Sequence, residues 1–164
     1  MSIDMAKYDF ESSMGFVVNN TAKAFQKTLD FELRKNVGVT LSQWRVVASL
    51  VQQPGLTQKE IADKVGVEGA TLVPMIDKME KEGLLKRKHD SKDRRLNRIY
   101  LTKKADSLWN SMIECAIYIR KVSAKDISED KLETTLETLR KISKNLSIYF
   151  KVDVPVEVSS KNRG

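Results

Sequence analysis

The chain is short of the residues that staple or punctuate a fold. It has one cysteine, Cys115, so no internal disulfide can form, and the sequence fits a reducing compartment such as the cytoplasm. It has one histidine, His89, which with that cysteine cannot fill a three- or four-ligand metal site; no cofactor is expected. Three prolines and seven glycines leave little room for the many turns of an all-β fold or for a low-complexity linker. No apolar run approaches the ~20 residues needed to cross a bilayer, so no membrane partner is expected. The opening MSIDMAKYDF lacks the apolar stretch of a secretory signal. Also missing are a glycine-rich phosphate loop, a nucleophile–base constellation and metal-ligand spacing, which argues against an enzyme. Acid pairs such as Glu80/Glu82 and Glu129/Asp130 fall at expected helix ends, where capping or solvation accounts for them.

Positive charge, by contrast, is abundant and concentrated. The chain's net charge is +7. Residues 81–104 alone hold ten basic side chains (Lys81, Lys86, Arg87, Lys88, Lys92, Arg94, Arg95, Arg98, Lys103, Lys104) against three acids (Glu82, Asp90, Asp93), a surplus of seven. A patch of this kind is the footprint of a polyanionic partner, whereas a merely soluble surface would spread its charge.

The length, 164 residues, suits one domain. Apolar residues at helical spacing (Met14, Val17, Val18, Ala22, Phe25, Leu29, Leu33) predict a long amphipathic helix over 11–35, stopped near Gly38. Thr40 and Gln43 form a capping-box pattern that opens a helix over 41–52, with Trp44, Val47, Ala48 and Val51 inward and Pro54-Gly55 at its end. Thr57 and Glu60 form a second box, starting a short helix through Lys64 with Gly66 as its stop. A further helix is expected from Thr71 to Glu82, with Leu72, Met75, Ile76 and Met79 on one face and Gly83 after it. Two short helices around a glycine-containing turn make a helix-turn-helix. The strand-like runs LLKRKH (84–89) and LNRIYL (96–101), joined by DSKDRR, would form a β-hairpin wing directly behind it. Thr102 should cap a helix over 103–124, with Ala105, Leu108, Trp109, Met112, Ala116 and Ile119 inward. Ser128 should cap the last helix, 129–150, whose Leu132, Leu136, Leu139, Ile142, Leu146 and Tyr149 make a narrow apolar seam. The tail KVDVPVEVSSKNRG ends polar and reads as an extended appendage. A small winged unit cannot cover every apolar face of the long terminal helices. A homodimer that interleaves them is the economical solution; a monomeric bundle folding on itself is the alternative.

Taken in order, TLSQWRVVASL (40–50), LTQKEIADKVGV (56–67), ATLVPMIDKMEKEGLLKRK (70–88) and DSKDRRLNRIYLT (90–102) resemble the MarR/SlyA family of bacterial and archaeal transcriptional regulators, over about residues 11–150. The specific part is the combination: the helix pair, Gly83 before the first wing strand, Asp-Arg-Arg at the tip, then Leu-Thr opening the next helix. The resemblance implies a mainly α fold with a small β-wing, a winged helix-turn-helix with long terminal helices forming a dimerisation domain. It divides the chain into a dimerisation helix (1–37), a DNA-binding lobe (38–102), dimerisation helices (103–150) and a tail (151–164). It implies a homodimer on double-stranded DNA, usually a repressor at palindromic promoter sites, relieved by a small anionic or phenolic ligand bound between the dimer helices and the DNA-binding lobe.

Family roles map residue by residue. In the Asp-x-Arg pattern, Arg95 would enter the minor groove, where a narrow groove concentrates negative potential, and Asp93 would hold its guanidinium. The alternative for Asp93 is an ordinary turn aspartate. Arg87, Lys88, Lys92, Arg94 and Arg98 complete the basic wing, with phosphates as the expected targets of Arg87, Lys88, Lys92 and Arg94. In the major groove the candidates are Glu68, Gly69, Ala70, Thr71, Pro74, Met75 and Lys78. Close relatives often carry a basic residue where Pro74 stands; proline donates no hydrogen bond and suits only a first helical turn, so Thr71 would cap the helix. Base readout would then rest on Thr71, backbone amides and apolar contact with thymine methyls. Thr57, Gln58 and Lys59 are candidate phosphate contacts at a helix N-terminus. For an aromatic or anionic effector, Phe16, Asn20, Trp44, Arg45, Met112 and Ile113 are candidates, Trp44 as a flat wall and Arg45 as a carboxylate partner; plain core is the competing reading. Cys115 reads as an inert buried thiol rather than a redox sensor, since 1–40 hold no cysteine. Two rival functions share the fold: an assembly module without DNA binding, which would have no need of Arg94, Arg95 and Arg98 together, and a DNA-binding antirepressor without an effector.

Overall fold

Local signals decide where the helices begin. The structure, a computed structural model, describes residues 9–150, so the expected 151–164 tail lies outside it. Among the described residues there are six helices, α1 (Met14–Asn36), α2 (Leu41–Gln52), α3 (Gln58–Val65), α4 (Gly69–Lys81), α5 (Lys103–Ser123) and α6 (Glu129–Phe150), and three short strands, β1 (Leu56–Thr57), β2 (Leu85–His89) and β3 (Asn97–Leu101). Both capping boxes form. Thr40 Oγ1 accepts from the Gln43 N–H while Gln43 Oε1 accepts from the Thr40 N–H, and Thr57 and Glu60 do the same for α3. Two orphan donors are thereby satisfied at each helix start. Gly66 (φ 70°) and Gly83 (φ 74°) take the left-handed conformation that ends α3 and α4 without a side-chain clash.

The chain forms two compact units, one through Arg120 and one from Lys121. In the first, α2 packs on α1, α3 and β3, and α4 packs on α3 and β2. Its core contains Leu33, Val46, Leu50, Ile61, Leu72, Ile76, Met79, Ile99 and Met112, each at most 1% exposed. Burying a side chain of this size contributes about 1.5–3 kcal/mol. Asp30, on α1, fastens the next helix: its carboxylate accepts from the Leu41 N–H at 2.8 Å and from Arg34 Nε at 2.6 Å. The Leu41 N–H, then Arg34, hold its pKa below the ordinary value. In the second unit, α6 keeps Leu136, Leu139 and Leu146 exposed. No helix among the described residues is long and apolar enough to cross a membrane.

Five expectations are corrected. The sheet has three antiparallel strands rather than a hairpin alone, in the order β1-β3-β2, with Leu56 opposite Ile99 and Leu85 opposite Leu101. On α2 the buried face is Gln43, Val46, Val47 and Leu50; Trp44 and Ala48 are half-buried and Val51 is exposed, because the buried cluster that holds Leu33, Ile61 and Ile99 takes the Val46, Val47 and Leu50 side. Thr71 is not a cap. Helix α4 starts at Gly69 behind an extended Glu68 whose carbonyl accepts from the Thr71 and Leu72 N–H groups, with no side-chain cap. Pro74 is therefore the sixth residue of α4, past the first turn, and it cannot donate to the Ala70 carbonyl. Thr102 precedes α5, but its hydroxyl donates to the Gly83 carbonyl at 2.6 Å, tying the α4–β2 junction to the end of β3.

Candidate nucleic-acid interface

The wing tip is organised by two aspartates. Asp90, only 8% exposed, accepts from the N–H groups of Lys92 (2.7 Å) and Asp93 (2.9 Å) and from Arg98 Nε. Those three donors, Arg98 first, hold its pKa down at about 2. Arg98 reaches on to the Gly55 carbonyl at 2.8 Å, which pins the wing to the turn before β1. Asp93 accepts from Arg95 three times, from the backbone N–H, Nε and a terminal guanidinium nitrogen, each at 3.0 Å. The Arg95 side-chain hydrogen bonds, then its backbone N–H, lower the Asp93 pKa. The Arg95 side chain is 90% exposed, so its fork is fixed in direction yet open to solvent. An anionic carboxylate that accepts from both the backbone N–H and the side chain of Arg95 keeps its guanidinium ordered before anything binds it.

The other wing cations divide into two sorts. Lys92 and Arg94 are exposed and form no ion pair with any described residue. Lys88 is also exposed, its ammonium 5.4 Å from the centre of the Tyr100 ring. Arg87, expected at phosphates, is instead only 20% exposed and pairs with Asp77 and Glu80 of α4. It braces the wing against α4. Arg98 is likewise committed to Asp90 and Gly55. Sequence spacing gave no signal for these braces, because Asp77 and Glu80 lie on a different element.

On α4, Ala70, Thr71, Pro74 and Lys78 are exposed and Met75 is half-buried. Lys78 lies 3.8 Å from Glu82. Glu68 and Gly69 line a cavity of about 420 Å³ with Gln58, Lys59, Leu72 and Val73. Val73 was not singled out from sequence, yet it is 46% exposed; its position three after Ala70 is the signal that could have found it. On α3, Lys59 is exposed, Gln58 Nε2 is buried without a partner among the described residues, and the Thr57 hydroxyl is occupied by its capping bonds.

The six effector candidates differ in their surroundings. Met112 is fully buried in the core, and Trp44 packs half-buried against the same cluster, with its indole N–H buried and unpartnered among the described residues. Arg45 and Ile113 are half-buried, Asn20 is exposed, and Phe16 stacks edge-on with Phe10 at 5.0 Å. A separate cavity of about 360 Å³ is lined by Leu50, Val51, Pro54, Tyr100, Leu101, Asp106 and Trp109. Cys115 is buried, its thiol directed at the Glu32 carbonyl at 3.7 Å.

This geometry, a helix-turn-helix followed by an arginine-tipped wing, defines a winged-helix protein. The model of the MarR family matches residues 39–96. The solved transcriptional regulator PA3341 is 32% identical, over 82% of this chain and 98% of its own, with a TM-score of 0.71. Two structures at lower identity share the fold: the repressor CouR bound to a 23-mer DNA duplex (22%, 87% and 99%, TM-score 0.74) and BpsR of Bordetella bronchiseptica, whose DNA binding is regulated by 6-hydroxynicotinic acid (20%, 84% and 98%, TM-score 0.74). The chain belongs to the MarR family of winged-helix transcriptional regulators.

Proposed function

We propose that the chain binds double-stranded DNA as a homodimer and represses transcription at palindromic promoter sites, until a small aromatic or anionic ligand lowers its affinity. The observation that carries the reading is the Asp93–Arg95 pair: a guanidinium fork held at 3.0 Å and left 90% exposed serves a partner outside the fold. Arg95 would enter a minor groove, with Lys88, Lys92 and Arg94 on flanking phosphates and Arg87 and Arg98 holding the wing rather than touching DNA. Helix α4 would face the major groove, and Lys59 the backbone. Residues 1–37 and 103–150 would form the dimer, placing two 38–102 lobes on successive major grooves ~34 Å apart. The exposed apolar residues of α1 (Val17, Val18, Phe25, Phe31) and of α6 support that role. The CouR complex with DNA and the regulation of BpsR by 6-hydroxynicotinic acid support the two binding partners by kinship of fold. A ligand favouring a dimer with wrongly spaced reading helices would weaken DNA binding by linkage.

The test is fluorescence anisotropy on duplex DNA from the gene's own upstream region, at several salt concentrations, with wild type and Arg95→Ala. Wild type should bind with a steep salt dependence. The variant should lose about tenfold or more in affinity and part of its sequence preference, because a groove contact does both. Absence of binding to specific and random duplex at low salt would remove the DNA-binding reading and favour an assembly module.

A further inference from the structure

We infer that this protein reads its site in the major groove through thymine methyl groups, contacted by the apolar stripe Ala70, Val73 and Pro74 of α4. The inference rests on the DNA binding proposed above and specifies its chemistry. Residues 70, 73 and 74 stand at helical spacing on the side of α4 opposite the buried Leu72, Ile76 and Met79. All three are exposed, Val73 by 46%, so the first two turns of the helix offer water an apolar strip that adds nothing to the core.

Hydrogen-bonding alternatives are scarce over the first two turns of the same surface. Reading guanine takes Arg or Lys, and reading adenine takes Asn or Gln, each making paired bonds to a base edge. Residues 69–77, GATLVPMID, include none of these. Asp77, which could accept from cytosine, is engaged by Arg87. Lys78 lies beside Glu82 and flanks the strip. Pro74 has no N–H to offer. Within residues 69–77 what remains is the Thr71 hydroxyl and the strip itself. The one base-edge feature in the major groove that an apolar side chain can recognise is the C5-methyl of thymine. Sequence preference at α4 is therefore a preference for thymines at the positions facing the strip.

The experiment separates this inference from the DNA-binding reading. A duplex is first selected by the protein from a randomised pool, then resynthesised with deoxyuridine replacing thymidine at one pair of symmetry-related positions at a time. Uracil pairs as thymine does and lacks only the methyl. Anisotropy is measured for wild type and for Val73→Ala, whose solvent-facing position spares the core. With wild type, affinity should fall by about fourfold for each buried methyl removed at the facing positions, and stay unchanged elsewhere and on random duplex. With Val73→Ala that loss should shrink toward none at the position Val73 covers. Equal binding of thymidine and deoxyuridine duplexes by wild type overturns the inference and leaves DNA binding standing. A methyl effect undiminished in Val73→Ala removes the assignment to the strip. Failure to bind or enrich any duplex at low salt overturns both readings together.

Discussion

At the scale of single residues, the wing tip trades charge for order. Asp93 cancels one of the positive charges it sits among, which on Coulombic grounds should weaken binding to any polyanion. Its compensation is geometric: a long, rotamer-rich side chain is already held in one direction, so less freedom is lost on binding. The two effects make opposite contributions, and Asp93→Asn separates them. The variant removes one negative charge and loosens Arg95. Affinity for random duplex should rise slightly, while preference for the selected site falls by about threefold to tenfold, read by competition anisotropy. A uniform change across both duplexes would leave Asp93 as an ordinary turn residue. The lowered pKa values of Asp90 and Asp93 also fix a pH window. A carboxylate with a depressed native pKa contributes stability above its unfolded value, ~3.9, and loses it as pH falls through the native value. Wing order should therefore be constant from pH 8 to 5 and decline below about 4, followed by the amide resonances of Lys92, Asp93 and Arg95. The Asp93–Arg95 pair was legible in the sequence because its members stand two residues apart within a motif. Asp90 was not, because its role comes from Arg98 across the hairpin and from the Gly55 carbonyl beyond it.

Among the elements, the helix starts with reciprocal side-chain caps were readable to the residue, and the start without one was misplaced. Thr40/Gln43 and Thr57/Glu60 announce α2 and α3 because the cap chemistry lies in the side chains. Helix α4 begins on the backbone of Glu68 alone, so Thr71 drew the boundary two residues late and hid the internal position of Pro74. Strand β1 is two residues long and exists only through its pairing with β3, which local pattern cannot carry. Two stability measurements follow from these differences. Thr57→Ala removes the capping hydroxyl of α3 and should cost about 1 kcal/mol in urea unfolding. Pro74→Ala restores an N–H donor opposite the Ala70 carbonyl and should stabilise the protein by about 1–3 kcal/mol. If Pro74→Ala is neutral or destabilising, the proline is accommodated by a backbone shape that alanine does not share. The same variant narrows the apolar strip, so higher stability with weaker site preference is the combined outcome expected if α4 reads methyl groups.

For the whole molecule, the open question is what covers the apolar residues that the long helices leave in water. Leu146 is 57% exposed on α6, and Phe31 is 61% exposed on α1. Exposed apolar residues recurring along a helix mark an interaction face. The helical seam of α6 was legible because Leu132, Leu136, Leu139, Ile142 and Leu146 recur every three or four residues. Its partner was not, since a seam carries no record of whether a second chain or the same one fills it. A dimer makes a quantitative demand. Two lobes joined rigidly on one duplex gain an intramolecular second contact, typically worth 10²–10⁴ in affinity. Leu136→Glu combined with Leu139→Glu places two charges on exposed positions of the seam, so the fold of each chain should survive. Sedimentation equilibrium should then give the mass of one chain where wild type gives two. Site affinity should fall by about a hundredfold or more, and the salt dependence should flatten as one lobe's phosphate contacts are lost. A variant that is monomeric by sedimentation yet binds its site as tightly as wild type would show that one lobe is the complete reader, and the terminal helices would need another explanation.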